Sequence, residues 1–509
     1  MGWPFIILFF SCRNENADTV LNRPPSTKIF IESIGLPDTV RLFAQVKLNW
    51  SGFDADGYVK GYRISWAKDT LSAFNNLAVS QIVTATDSTF LFNFTGVTDI
   101  ANVCFFVQAV DDKGLVDPNP AFLKIPVKNS KPTISFIAEA LSTADSIWSV
   151  ISLPYKFSDP DGNQTIDSIF IRINSSGWIA VPKKSNFLSL VPENPSSFGE
   201  TNALVYLGEN LATLNQEPAP VRDLKIPGLQ INGRNKFYLK IKDFAGAVAI
   251  DSTPISYYFK RKTGDLLLID AYKGEGAFIG DTLYTNIISG FTSFDKIDMI
   301  AGQPTPEGAG VNQPKFWNAS FYLLCKLYGK VFWYSDIITN QPGFTPLLLT
   351  SASGSLIQYL RFNGKFLGSV IFPDLPNQLA SDDPVFSLIP IDTITRVSSV
   401  VRLKRNNPVM ARQPGFADLK SIVPPNSGVI TGVDIFKVKA GVDSLYFIPK
   451  TSLTTSYFGL GLPIALRARN AFTGKTNMVF FGMEMSYLSG DRQALSNTFN
   501  KILNEEFNW

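Results

Sequence analysis

Two stretches of this chain spell the same pair of turns, and that repeat constrains the fold of the first half more than any other feature. Trp50-Ser51-Gly52-Phe53-Asp54-Ala55-Asp56-Gly57 has a counterpart in Tyr155-Lys156-Phe157-Ser158-Asp159-Pro160-Asp161-Gly162, where an aromatic strand residue again leads into Asp-x-Asp-Gly. A second pair follows. Cys104 to Gly114 is a strand-like run ending in Asp111-Asp112-Lys113-Gly114, and Lys236 to Gly246 ends in Asp243-Phe244-Ala245-Gly246. Between these landmarks, Tyr58 to Trp66 and Ile169 to Ile173 alternate as strands with one buried face do. Turn signals at this spacing, in two copies of about 100 residues or more, predict tandem antiparallel β-sandwiches. The copies run from Arg23 to Lys128 and from Asn129 to Lys262. The second is longer because Val191 to Gly233 is rich in Pro, Asn and Glu, and is expected to be a long loop with some local structure.

Tryptophan before a hairpin, then a late strand of the form aromatic-x-Val-x-Ala-x-Asp (Phe105 to Asp111), resembles bacterial fibronectin type III and immunoglobulin-like modules. The repeated aspartates have two readings. Asp54, Asp56, Asp159 and Asp161 carry hard oxygen donors suited to calcium, yet neither turn has the closing glutamate of an EF-hand. Aspartate and glycine also fill tight turns for conformational reasons alone. The turn reading is preferred; calcium is the one cofactor the sequence leaves open.

At Gly264 the period changes. Asp265-Leu266-Leu267-Leu268-Ile269-Asp270 is a short, continuous apolar run, as in a strand buried on both faces of a parallel sheet. Helical stretches (Asp281 to Ser289, Trp317 to Leu327, Gly354 to Phe362, Arg492 to Phe507) then alternate with strands at Lys296 to Ile300, Lys330 to Asp336, Gly364 to Ser369 and Met478 to Glu484. That alternation predicts a doubly wound α/β domain over 263–509, interrupted by a β-rich insertion from about Asp383 to Lys475. The chain is therefore expected to be multidomain, with two all-β Ig/FnIII-like sandwiches followed by the α/β domain.

The Leu-Leu-Leu-Ile-Asp strand, Phe332-Trp333-Tyr334-Ser335-Asp336, Asn363-Gly364-Lys365 and Phe480-Phe481-Gly482 resemble the glutamine amidotransferase-like branch of the flavodoxin-type folds. The resemblance implies a cysteine nucleophile on a strand-to-helix elbow, with a histidine oriented by a carboxylate. Here the elbow strand reads Gly368-Ser369-Val370, without cysteine, and the last strand offers Gly482-Met483-Glu484 where that family often has His-x-Glu. Ser369 is the hydroxyl nearest the elbow, and Glu484 stands as the remnant of the orienting acid.

No histidine occurs in 509 residues. Ser-His-Asp and Cys-His hydrolysis, His-ligated zinc and proximal-His haem are thereby excluded. A net charge of +3, with no run of Lys and Arg to track a phosphate backbone, argues against nucleic acid. The apolar run Trp3 to Phe10, ending in Ser11-Cys12, resembles a bacterial lipoprotein signal, which implies lipidation of Cys12. Residues 1–12 are then the signal remnant and 13–22 a polar tether before Pro24-Pro25. Cys104 and Cys325, in different predicted domains, read as small buried apolar residues. The functional expectation is a non-catalytic, outer-membrane-anchored envelope lipoprotein, periplasmic or surface-exposed, that binds an unidentified protein or glycan. The alternative is a histidine-free hydrolase or glycan-acting enzyme drawing on Asp270, Glu275, Asp336 and Glu484 at strand ends, with Ser369 beside them.

Overall fold

The computed structural model describes residues 21–31, 42–43, 45–92, 100–207, 220–271, 277–299, 319–335, 348–372, 382–396, 403–404, 406–422, 429–430, 433–452 and 463–508. Cys12, Glu275 and Asp336 lie outside the described residues. The chain divides into two compact units. One comprises Met1–Thr133, Ser158–Asp167 and Lys242–Ala249; the other comprises Ile134–Phe157, Ser168–Ile241 and Ile250–Trp509.

Alternation builds the first sandwich. Strand Gln45–Phe53 places Val46, Leu48 and Trp50 inward and Lys47 outward, and pairs antiparallel with Ser26–Ile31 and Asp87–Leu91. A second sheet runs in the order Leu42–Phe43, Ala121–Lys128, Ile100–Asp111, Val59–Ala67, Ile82–Val83. Trp50 is 2% exposed against Phe105, Val107 and Ala109 of that sheet, and its Nε1 donates to the Ala85 carbonyl at 2.8 Å. The indole thus fills the core while its one polar atom is satisfied.

The second copy repeats this plan. Its four-stranded sheet runs Ile179–Val181, Ile166–Ile173, Phe237–Asp243, Val248–Ser252. The facing sheet runs Thr133–Phe136, Ile151–Ser158, Phe187–Pro192, Gly199–Leu207, Pro220–Ile231. The last two strands correct the expectation of a long loop over 191–233. They form an antiparallel ribbon in which Ala203, Val205, Ile226, Leu229 and Ile231 are buried. The alternation is present in the sequence, but the proline, asparagine and glutamate at its margins have the composition of a loop.

Five parallel strands organise the C-terminal region: β1 (Leu266–Asp270), β2 (Phe294–Asp298), β3 (Lys330–Ser335), β4 (Lys365–Val370) and β5 (Thr476–Phe481). They lie in the order β2-β1-β3-β4-β5. The sheet then continues antiparallel through Pro463–Arg469, Asp443–Phe447 and Pro408–Ala411, all from the β-rich insertion. Both faces are apolar and both are covered. Leu266, Leu268, Phe332, Val479 and Phe481 meet helices α1 (Ala277–Ser289) and α4 (Arg492–Asn500) on one side. Leu267, Ile269, Val331, Trp333 and Phe480 meet α2 (Ser320–Lys326) and α3 (Leu348–Arg361) on the other. Burial on two faces explains why β1 reads as a continuous rather than an alternating apolar run.

The expected division at Lys262 is a change of secondary structure and not a break in the core. Val150, Val191 and Tyr206 of the second sandwich lie in the same buried cluster as Ile269, Met299 and Phe321. Trp148 Nε1 donates to the Lys296 carbonyl at 3.2 Å, and Ser320 Oγ donates to Ser152 Oγ at 2.6 Å. Among the described residues, no helix is long and apolar enough to cross a membrane.

Candidate functional site

The strand order places a reversal at β1: its chain leaves toward β2 on one side, and β3 lies on the other. Ligands of open parallel sheets gather at the carboxyl ends of the strands beside such a reversal. Asp270 closes β1 there, in register with Tyr334 of β3 and Asp298 of β2.

Asp270 is 8% exposed and its carboxylate meets Lys296 Nζ at 2.9 Å. The same ammonium reaches Asp281 of α1 at 2.5 Å, and Tyr334 Oη donates to Asp281 Oδ1 at 3.2 Å. Burial raises the Asp270 carboxyl above its ordinary range although Lys296 pulls the other way. Lys296 is lowered by burial and raised by Asp281 and Asp270; the carboxylates prevail and hold it above its usual value. Tyr334 is pushed up by burial and then by Asp270, so its hydroxyl stays protonated as a donor.

Glu484, 3% exposed, follows β5 and accepts from Ser486 Oγ. It lies against the first turns of α1 at Gly280, where a Cβ would stand 2.7 Å from Glu484 Oε1. Any larger residue there would have to push the Glu484 carboxylate aside. Tyr284, one turn further along α1, is fully buried; its Oη accepts from the Ser486 amide at 2.8 Å and its ring packs 4.9 Å from that of Tyr334. Burial and then Glu484 hold Tyr284 well above the usual phenol range. Ser369 of β4 is fully buried. Its Oγ donates to the Met483 carbonyl at 3.1 Å and accepts from the Met485 amide at 2.9 Å, and it also bonds to Tyr284.

Asp270, Ser369 and Glu484 therefore come together in one buried polar layer under α1, joined through Tyr284 and Tyr334. Sequence reading missed Asp281, Tyr284, Lys296 and Ser486. A signal for Lys296 existed, since a lysine inside a short buried strand requires a carboxylate partner. Chemically, the Ser369 hydroxyl donates to a peptide carbonyl.

The aspartate turns of the repeat are built alike in both copies. Asp111 accepts from the Leu115 amide at 2.7 Å and from Asn22 Nδ2 at 2.6 Å; Asp243 accepts from the Ala247 amide at 2.7 Å and from Asn129 Nδ2 at 2.7 Å. Gly114 and Gly246 follow with φ of 95° and 98°, a left-handed conformation that suits glycine. Asp56 accepts from the Arg23 amide at 3.1 Å and Asp161 from the Ser130 amide at 2.6 Å, while Asp54 and Asp159 accept from the amides of Asp56 and Asp161. These carboxylates tie the segment entering each copy to its end turns. Among the described residues, no three acidic or cysteine side chains group as metal ligands. Cys104 and Cys325 are both buried free thiols, and burial pushes the Cys325 thiol far above its usual range.

No family model and no curated protein matches the chain. Solved structures similar to it are fibronectin(III)-like modules of Clostridium thermocellum CbhA (12% identity, 46% of this chain and 94% of that chain, TM-score 0.17). Three N-terminal domains of the bacteriophage RB49 outer capsid protein Hoc also match (9%, 49% and 65%, 0.19), as do the FN1–FN3 domains of chicken CNTN1 (12%, 45% and 98%, 0.14). The first and third of these are fibronectin type III modules by name, and the two units here are β-sandwiches by their own strand order.

Proposed function

We propose that this chain is a non-catalytic binding protein of the bacterial cell envelope, anchored by a lipid on Cys12. In this reading the sandwiches present binding surfaces, and the C-terminal domain is a doubly wound, flavodoxin-type α/β fold of the amidotransferase-like branch that has lost its reaction groups. The order β2-β1-β3-β4-β5 with helices on both faces supports the fold part of the reading. The observation that carries the functional part is Ser369: the hydroxyl nearest the nucleophile position is buried and used in both directions by the backbone of Met483 and Met485. A serine nucleophile needs a base within hydrogen-bond reach, and this one has a carbonyl. Incubating the purified chain with glutamine and a generic ester tests the reading. The expected rate is that of buffer, and turnover that Ser369→Ala abolishes would overturn it.

One observation favours the histidine-free enzyme as second reading, namely the raised carboxyl of Asp270 at a strand end. Lys296 and Asp281 already account for that side chain as part of an internal ion network.

A further inference from the structure

We propose that the outer face of the four-stranded sheet in the second sandwich binds a carboxylate-bearing polysaccharide, a partner class that holds whether or not the C-terminal domain turns anything over. Alternation on two neighbouring strands builds this face. In Ile166–Ile173, Ile169, Ile171 and Ile173 are buried, while Phe170 and Arg172 take the opposite side. In Phe237–Asp243, Phe237, Leu239 and Ile241 are buried, while Tyr238 and Lys240 take the opposite side. Trp178, just before strand Ile179–Val181, lies against both cations: its ring centroid is 4.5 Å from Arg172 Cζ and 4.7 Å from Lys240 Nζ. Arg172 is also 4.5 Å from the Tyr238 ring, and Lys240 is 4.3 Å from the Phe170 ring. All five side chains are partly exposed.

Cation–π contact holds both long side chains in place by their charge, and it does not itself occupy an N–H donor. Arg172 Nε is buried with no hydrogen-bond partner, and no carboxylate pairs with this guanidinium among the described residues. A guanidinium between two rings and without an acid is matched by a planar, bidentate anion, and a carboxylate fits the fork of its two Nη atoms, the buried Nε lying out of reach. Trp178 and Tyr238 beside it, and Phe170 beside Lys240, are partly exposed, and the apolar ring surface the cations leave is what the C–H face of a pyranose covers and a bare anion does not. A polymer of uronic acids carries both features on every residue. Phosphate or sulfate groups would satisfy the cations alone, and a neutral sugar would satisfy the rings alone.

Affinity electrophoresis of the full chain tests this, with polygalacturonate in the gel and dextran or polyglutamate in parallel gels, alongside sedimentation with phosphatidylglycerol vesicles. The expected result is retardation by polygalacturonate only, weakened about tenfold or more in Arg172→Gln, the equivalent of one lost charged hydrogen-bond pair. Arg172→Lys, which keeps the charge and loses the fork, should fall between them. Absence of retardation, equal retardation by polyglutamate or dextran, vesicle binding, or full retardation of a folded Arg172→Gln would each overturn the proposal. Should Arg172→Gln melt below the assay temperature, Lys240→Gln takes its place: weakened retardation supports the proposal and full retardation overturns it. A variant that lowers the melting temperature in a chain that never binds the polymer would also overturn it, and would mark the face as structural only.

Discussion

Replacing Ser369 by alanine should destabilise the C-terminal region out of proportion to the single oxygen removed. The hydroxyl donates to the Met483 carbonyl and accepts from the Met485 amide, in a site with no solvent access. Alanine leaves the Met483 carbonyl and the Met485 amide without their partner and takes one from the Tyr284 hydroxyl; at about 1–3 kcal/mol for each of the two orphaned backbone groups the expected loss is about 2–6 kcal/mol. Ser353 supplies the internal control. It is equally buried, but its Oγ donates to the Leu349 carbonyl one turn back in α3, an acceptor that the helix ladder also uses. Ser353→Ala orphans no donor and improves helix propensity, so it should stay within about 0.5 kcal/mol of the parent. Urea unfolding followed by intrinsic tryptophan fluorescence, to which Trp333, fully buried in β3, contributes, reads both variants. The midpoint of Ser369→Ala should fall at unchanged slope. Equal midpoints for the two variants would refute the assignment of Ser369 as a tie between β4 and the loop after β5.

Other outcomes follow from the same geometry. Because burial raises Asp270 in the folded chain, the native state holds that proton more tightly than the unfolded state does; stability should therefore fall as pH rises from about 3.9 through the raised native value, and Asp270→Asn should flatten that interval in pH-dependent melts. Lys296 acts at the other end of the pH range: its raised value contributes stability up to about pH 10.4 that is lost above it, and Lys296→Met should remove this alkaline decline in the same melts. Asp243→Ala, which strips the Ala247 amide and the Asn129 side chain of their acceptor, should cost about 1–3 kcal/mol in thermal unfolding, whereas Asp243→Asn should recover part of it. Limited proteolysis followed by size-exclusion chromatography should leave fragments cut near Lys262 associated, since Val150, Val191 and Tyr206 share a core with Ile269 and Phe321; separate elution would contradict the shared core.

Much of the fold was legible because it follows from periodicity. The alternation around Trp50 and Tyr155, and the continuous apolar β1, each reflect how many faces of a strand are buried, and that quantity is written in the residue types. The ribbon of Gly199–Leu207 and Pro220–Ile231 was not legible, since its alternation sits among turn-forming residues and its pairing is decided by tertiary contact. At the candidate site, position at a strand end identified Asp270 and Glu484, but their partners come from elsewhere in the chain. Lys296 reaches back to β1, and α1 contributes Gly280, Asp281 and Tyr284 through a crossover whose packing no local pattern encodes. The aspartates of the repeat were legible as turn residues, but not the asparagines Asn22 and Asn129 that clasp them, because a single asparagine near a domain start carries no periodic signal.

In the proposed reading, the polar layer under α1 holds the fold together and performs no reaction. Its most direct test is turnover by the full chain against aryl glycosides, generic esters and glutamine between pH 4 and 8, with Asp270→Asn and Glu484→Gln measured beside it. Rates indistinguishable from buffer are expected for all three proteins. A pH-dependent rate in the parent chain, lost in either variant while that variant remains folded, would contradict the reading.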